Sequence, residues 1–249
     1  MAMKYVNKLV FAALVTSAVL TLSACNTTGV KTTGADVEQA AELMATLRFV
    51  PVLEVDKEGV TQPYEALPNP YIKRGRIDKE SVSQFITARR AFNKGDFNSA
   101  TKTLNALTQS DSSLSGPWVL LGDIAMESKD TKLAITHYQK ALEINRSNMN
   151  AWLRLAHALR VQGEFLKAQN VYAHALAEWK DCPEAHLNLA VLYDVYLNLP
   201  LRAQKHMEAY MFLTGGEDKK VANWLMEIQK RTGVAQALPA DKTLLKPVS

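Results

Sequence analysis

The chain has 249 residues, of which 29 are Lys or Arg and 25 are Asp or Glu, for a formal net charge of +4. Without the N-terminal leader that carries Lys4 and Lys8, 27 basic residues stand against 25 acidic ones, a net charge of +2 that is too mild for a nucleic-acid-binding surface. Two cysteines, Cys25 and Cys182, cannot supply a disulfide framework.

At the N-terminus, Lys4 and Lys8 are followed by an unbroken apolar and small-residue run from Leu9 to Leu22, the layout of a signal peptide. The run holds 14 residues, whereas a helix needs roughly 20 to cross a bilayer, so a permanent transmembrane helix is the weaker reading. It ends in Leu22-Ser23-Ala24-Cys25, which resembles the lipobox of bacterial lipoproteins. That resemblance implies removal of residues 1–24 and acylation of Cys25; a cleaved signal with an incidental cysteine is the alternative. Stable anchoring needs more than one acyl chain, and the diacylglyceryl cysteine of these lipoproteins provides it. In the same family an Asp after the cysteine retains the protein at the inner membrane. Asn26 therefore implies the outer membrane, with the chain facing the periplasm. Cys182 then reads as a thiol packed in a turn between helices, with an intermolecular disulfide as the alternative in an oxidising compartment.

Residues 25–80 read as a lipid-anchored linker. Asp36 with Gln39 resembles a capping box, and Val37, Ala40, Ala41, Met44 and Leu47 line one side of a short helix ending before Pro51. Pro51, Pro63, Pro68 and Pro70 make residues 51–80 mostly extended, a spacer that would lift the rest off a membrane surface.

From residue 81 to 215 small residues return at an interval of 34: Ala88, Gly122, Ala156 and Ala190, and separately Ala100, Ala134 and Ala168. Leu104, Tyr138 and Tyr172 share that register, as do Leu107, Ala141 and Ala175, and Trp118 with Trp152. Trp118-x2-Leu121-Gly122 with Ala134-x3-Tyr138-x2-Ala141 resembles the tetratricopeptide repeat, and Trp152-x2-Leu155-Ala156 with Ala168-x3-Tyr172-x2-Ala175 repeats it. A further unit, His186-x2-Leu189-Ala190-x2-Tyr193, slips by one residue in its second half, so that Ala203 and Met207 take the small and large positions near Pro200. The unit starting near Ser81 keeps Ala88, Ala91, Ala100 and Leu104 but has Gln84 in the aromatic position, as terminal repeats often deviate. The resemblance implies an all-α fold, a solenoid of three to four antiparallel helix pairs. Small residues allow close helix crossings; Gly95 and Gly163 read as turns between paired helices.

Val221, Trp224, Leu225 and Ile228 have the spacing of an amphipathic helix, so residues 216–233 are expected to cap the open end of the array, and residues 234–249 to form a flexible tail.

No H-E-x-x-H, G-x-S-x-G or G-x-x-x-x-G-K-[ST] is present, which argues against an enzyme. No cofactor is expected apart from the covalent lipid on Cys25. The histidines at 137, 157, 174, 186 and 206 lack metal-ligand spacing on one helix face and read as surface or groove residues, with His157 or His186 as a ligand the weaker reading.

The family resemblance places partners on the face formed by the first helix of each pair. Here that face comprises Phe85, Arg89 and Phe92; Val119, Asp123 and Met126; Asn150, Leu153, His157, Arg160 and Val161; and Leu187, Val191, Asp194 and Val195. A mainly apolar face with scattered charges suits an amphipathic helix or an extended peptide. It does not suit a carboxylate terminus: where the chaperone-binding members have their clamp, Phe85, Leu120 and Asn150 depart from it and only Asn188 agrees. Residues 37–48 filling the groove themselves is the alternative. Two functions follow: an adaptor that assembles or localises an envelope complex such as a pilus or secretion machine, or a periplasmic chaperone for outer-membrane proteins.

Overall fold

The computed structural model describes residues 42–73, 75 and 77–246. The leader, Cys25, the Asp36–Gln39 capping box and the start of the helix expected over residues 37–48 lie outside them. Among the described residues the regular structure is helical: α1 (Lys79–Asn93), α2 (Phe97–Ser110), α3 (Ser115–Glu127), α4 (Thr131–Ile144), α5 (Met149–Val161), α6 (Phe165–Glu178), α7 (Pro183–Val191), α8 (Pro200–Leu213) and α9 (Lys219–Thr232).

The helix starts are written in the sequence. Asp78, Asp96, Asp130, Asn148 and Asp218 each accept a backbone N–H from the first turn of the following helix. α7 and α8 lack such a cap and begin with Pro183 and Pro200, whose missing N–H costs nothing at that position. The small-residue columns lie at the helix crossings. Ala88, Ala156 and Ala190, and Ala100, Ala134, Ala168 and Ala203, are fully buried, with Leu104, Tyr138, Tyr172 and Met207 filling the space beside them.

The turn inside each pair carries a residue in the left-handed region: Gly95 (φ 77°), Lys129 (62°), Gly163 (81°) and then Asn198 (50°). The first three are 34 apart and the last is one residue late. The extra residue enters between Ala190, still in register, and Asn198. There α7 runs on into a π-helical turn, Leu192–Tyr196, in which the Leu197 N–H reaches the Leu192 carbonyl at 3.1 Å. A π turn holds one more residue than an α turn. It absorbs the insertion and leaves Ala203 and Met207 in their columns.

Two expectations are corrected. The short helix does not extend over residues 42–46; only Leu47–Phe49 forms a 3₁₀ turn. The backbone is drawn out because the Met44 N–H donates to Gln169 Oε1 and Asn170 Oδ1, while its carbonyl accepts from Gln169 Nε2 at 3.0 Å. Residues 42–67 are therefore a strap along the second-helix face of the array, not a free spacer and not a plug in the groove. Farther along the strap, the Tyr64 hydroxyl donates to Asp181 at 2.6 Å and the Leu67 N–H to the other Asp181 oxygen at 2.8 Å.

The tail is not free either up to residue 246. The Ala237 N–H donates to buried Glu208 at 3.1 Å, and Leu238 is buried beside Ala209 and Phe212. Tyr64 then donates its N–H to the Leu244 carbonyl and accepts from the Lys246 N–H, so strap and tail meet over α8. Gly216 (φ 77°) makes room for this crossing, since a Cβ there would lie 2.6 Å from Ala240.

Replacing Asp181 with Ala leaves the part-buried Tyr64 hydroxyl and the Leu67 N–H without their acceptor. The expected cost is roughly 2–3 kcal/mol, with faster hydrogen exchange of amides 64–67 than in the parent. Equal protection in the variant would show that other contacts hold this part of the strap.

α9 covers the last pair as expected, burying Val221, Leu225 and Ile228 and ending at Gly233 in the left-handed conformation.

Candidate functional site

Six residues expected on the partner face line one cavity of about 490 Å³: Phe85, Arg89 and Phe92 from α1, Val119 and Asp123 from α3, and Asn150 from α5. It is confined to the first three of the first helices, with Tyr71 and Ile77 from the incoming chain also lining it. Its walls set Phe85, Phe92, Val119 and Leu120 beside the polar side chains of Arg89, Asn148, Asn150, Asp123 and Arg154.

The carboxylate of Asp123 accepts from the Tyr138 hydroxyl at 2.9 Å and pairs with the Arg154 guanidinium at 3.2 Å. Burial pushes its pKa above the usual carboxylate range, against the pull of Arg154 and Tyr138. Tyr138 reaches Asp123 because residue 122 is Gly: a Cβ there would lie 2.3 Å from the Tyr138 ring. Arg154 escaped the sequence reading. It stands three residues, about one turn, before His157, the repeat equivalent of Asp123, and so meets the acid of the preceding unit.

The remaining predicted face residues are not in the cavity. Met126, Leu153 and Leu187 are partly buried against the core, and Val191 is half-buried. His157, Val161 and Val195 are exposed. Arg160 donates to the Tyr196 hydroxyl at 2.7 Å and lies over its ring. Asp194 accepts from Trp224 Nε1 at 2.8 Å and pairs with Arg231 at 2.6 Å, both on α9. The cap uses this carboxylate, which the sequence reading had assigned to a partner; the π turn that positions Asp194 had no counterpart in the repeat pattern.

His186 is corrected from surface or groove to core. It and His206 are buried with their Nδ1 atoms 2.9 Å apart. The partners fix where the protons lie. His186 Nε2 faces the Lys180 carbonyl at 2.8 Å and must donate, so its Nδ1 accepts from His206 Nδ1. His206 Nε2 then accepts from the Thr46 hydroxyl at 2.9 Å, Thr46 accepts from the Tyr193 hydroxyl at 2.8 Å, and Tyr193 accepts from Gln169 Nε2 at 2.9 Å. Every bond points the same way, from the strap-binding Gln169 to the Lys180 carbonyl, and both imidazoles are neutral.

Cys182 is buried at the N-terminus of α7, and burial pushes its thiol up to about 12. A packed turn residue, not an exposed disulfide partner, fits that position. Among the described residues no group of three or more His, Cys, Asp or Glu side chains is placed to hold a metal ion.

Residues 122–163 match the family described as TPR repeat, and residues 149–192 the family described as Tetratricopeptide repeat. No curated protein sequence matches the chain. Among solved structures, Pseudomonas aeruginosa pilF is similar with a TM-score of 0.56 at 17% identity, over 63% of this chain and 70% of that one. MamA from Desulfovibrio magneticus RS-1 gives 0.52 at 17% identity, over 64% of this chain and 88% of that one. The Cut9–Hcn1 APC/C hetero-tetramer gives 0.51 at 17% identity, and there 59% of this chain spans only 30% of the other. At such identities the likeness concerns the fold alone. Repeat spacing, the family matches over residues 122–192 and helix-pair geometry agree that the described chain has the fold of a tetratricopeptide-repeat solenoid, closed at its C-terminal end by α9.

Proposed function

We propose that the protein is a lipid-anchored adaptor of the bacterial envelope, which holds another protein in the groove of α1, α3 and α5 and so assembles or localises a larger machine such as a pilus or secretion apparatus. Tetratricopeptide repeats mediate protein–protein interactions, and the observation that carries the reading is the open cavity with Phe85, Phe92 and Val119 on its walls and the Asp123–Arg154 pair across it. Farther along the first-helix face, Arg160 is engaged by Tyr196 and Asp194 by α9, while His157, Val161 and Val195 stay exposed outside the cavity. A confined site of this kind suits one specific segment better than the long promiscuous surface a chaperone would use. Anchoring at Cys25 is inferred from the lipobox-like Leu22-Ser23-Ala24-Cys25.

The test is crosslinking and mass spectrometry in whole cells, with the parent beside Phe92→Asp and Cys25→Ala chains. A short partner list lost in Phe92→Asp, together with release of Cys25→Ala from the membrane fraction, is the expected result. A long unspecific list would support the chaperone instead. A list unchanged in Phe92→Asp would move binding off the groove, and a Cys25→Ala chain still wholly in the outer membrane would sink the anchor.

A further inference from the structure

The strap of residues 42–67 is held to the array largely through its backbone. Besides the bonds to Met44, Asn170 Nδ2 donates to the Glu42 carbonyl at 2.9 Å, and Trp179 Nε1 donates to the Leu67 carbonyl at 2.6 Å, next to the Leu67 N–H that meets Asp181. Gln and Asn side chains offer a donor and an acceptor together, as an extended peptide does. Between these ends Thr46 enters the His206–Tyr193 contact, and Val50, Leu53 and Tyr64 pack on Ala209 and Phe212. The face is thus a binding site for an extended chain, filled from within. The way back from it is short. The first helices run parallel, so Asp78 at the start of α1 and the α6–α7 turn with Trp179 and Asp181 lie on one edge, three first-helix steps apart, roughly 30 Å at about 10 Å per step. Eleven Cα steps join Leu67 to Asp78, and Pro70–Lys73 is wound into a 3₁₀ turn. Even with every residue outside that turn fully extended, the tie reaches only roughly 32 Å.

We infer that the second-helix face of α6 and α8 also takes the strap of a second copy, so that two chains exchange straps in a twofold dimer. The inference is independent of the groove. Every contact that holds the strap can be made equally well by the strap of another copy. What differs is the tie. Closed, it must span three first-helix steps almost at full reach; exchanged, it need only cross to a neighbouring array, and a short hinge drawn tight favours exchange. Pro68 and Pro70 fix φ at two of its positions and limit how the tie can rearrange. A segment of an unrelated protein would have to supply the Thr46 hydroxyl, the Tyr64 phenol and the Leu53 side chain in one register. A second strap has all three by identity.

The ion pair between Glu65 on the strap and Lys246 on the tail, 3.7 Å apart and exposed on both sides, reports which chain a strap lies on. Mature Cys25→Ser chains, one batch grown in heavy isotopes and one in light, are mixed in mild urea and returned to buffer at high concentration. Monomer and dimer are separated by size-exclusion chromatography with light scattering, and a carbodiimide then couples Glu65 to Lys246 for mass spectrometry. In the dimer about half of these amides should join a heavy chain to a light one, as random pairing of reciprocal straps requires. The monomer should give same-isotope amides alone. A chain lengthened by a Gly-Ser insert after Pro68 should show a severalfold smaller dimer fraction. A dimer whose amides are all same-isotope would mean closed straps and an ordinary interface, and would overturn the exchange, as would a chain that stays monomeric throughout. A dimer fraction unchanged by the insert would overturn the taut tie on which the inference stands.

Discussion

Between about pH 6.5 and about pH 4 the folded protein is expected to lose roughly 3 kcal/mol of stability through His186 alone. Burial holds the folded His186 imidazole down at about 4, opposed by its bond to the Lys180 carbonyl and by Asp181, while the unfolded side chain titrates near 6.5. The unfolded state therefore binds more protons in this window. The stability is whole above the unfolded value and shrinks as pH falls towards the folded one. His206, held well below its ordinary value by burial, by His186 and by Arg202, adds to the loss in the same direction.

The hydrogen-bond chain explains why one proton matters so much. A proton on His186 Nδ1 would set two N–H groups against each other across the 2.9 Å contact. His206 would have to move its own proton to Nε2, Thr46 would have to turn towards Tyr193, and Tyr193 already receives Gln169. Each member reverses until Gln169 must abandon Met44, so acid should loosen the strap before it unfolds the helices. Urea unfolding at pH 7, 5.5 and 4.5 for the parent and a His186→Phe/His206→Leu chain provides the check. The parent should weaken steeply and the variant much less; matching slopes would refute the assignment.

The second large effect is expected at Gly122. Alanine is normally favoured over glycine inside a helix by about 1 kcal/mol, and alanine occupies the equivalent positions 88, 156 and 190. At 122 the new methyl would meet three Tyr138 ring atoms at 2.3 to 2.8 Å, in a core where that ring is fully buried. Overpacking of this kind costs about 1–3 kcal/mol, and the displaced ring would also pull its hydroxyl away from Asp123. Gly122→Ala should therefore lower the denaturant midpoint, with Tyr138→Leu added to it recovering much of the loss. A midpoint at or above the parent's would mean that the ring moves without penalty.

The parts of the fold that repeat were legible because the crossing points demand small residues at a fixed interval. Gly122, Ala134 and their equivalents announce the helix pairs, and the one-residue slip before Ala203 announces that something must absorb it. Nothing in the repeat says that a π turn does so, or that it turns Asp194 towards α9. The strap was misread because Met44 and Leu47 have helical spacing. Their conformation is set by hydrogen bonds to Gln169, Asn170 and Tyr193, more than a hundred residues away, which no local pattern records. His186 fell in the column where the two preceding units have Trp118 and Trp152, yet its burial depends on His206 from the next helix. At the groove, apolar positions followed from the repeat register. Arg154 did not, because its partner Asp123 belongs to the preceding unit.

A solenoid whose units touch only their neighbours frays equally from both ends. Here Met44 is tied to Gln169, Thr46 to His206 and Tyr64 to Leu244, so the later units are enclosed in a loop that only a concerted opening can release. Among the described residues the α1–α2 pair has no such fastening, and it is the natural starting point of unfolding. That pair also supplies Phe85, Arg89 and Phe92. The end proposed to receive a partner is thus the least secured, and part of the binding free energy at that groove would be registered as the tightening of that first pair.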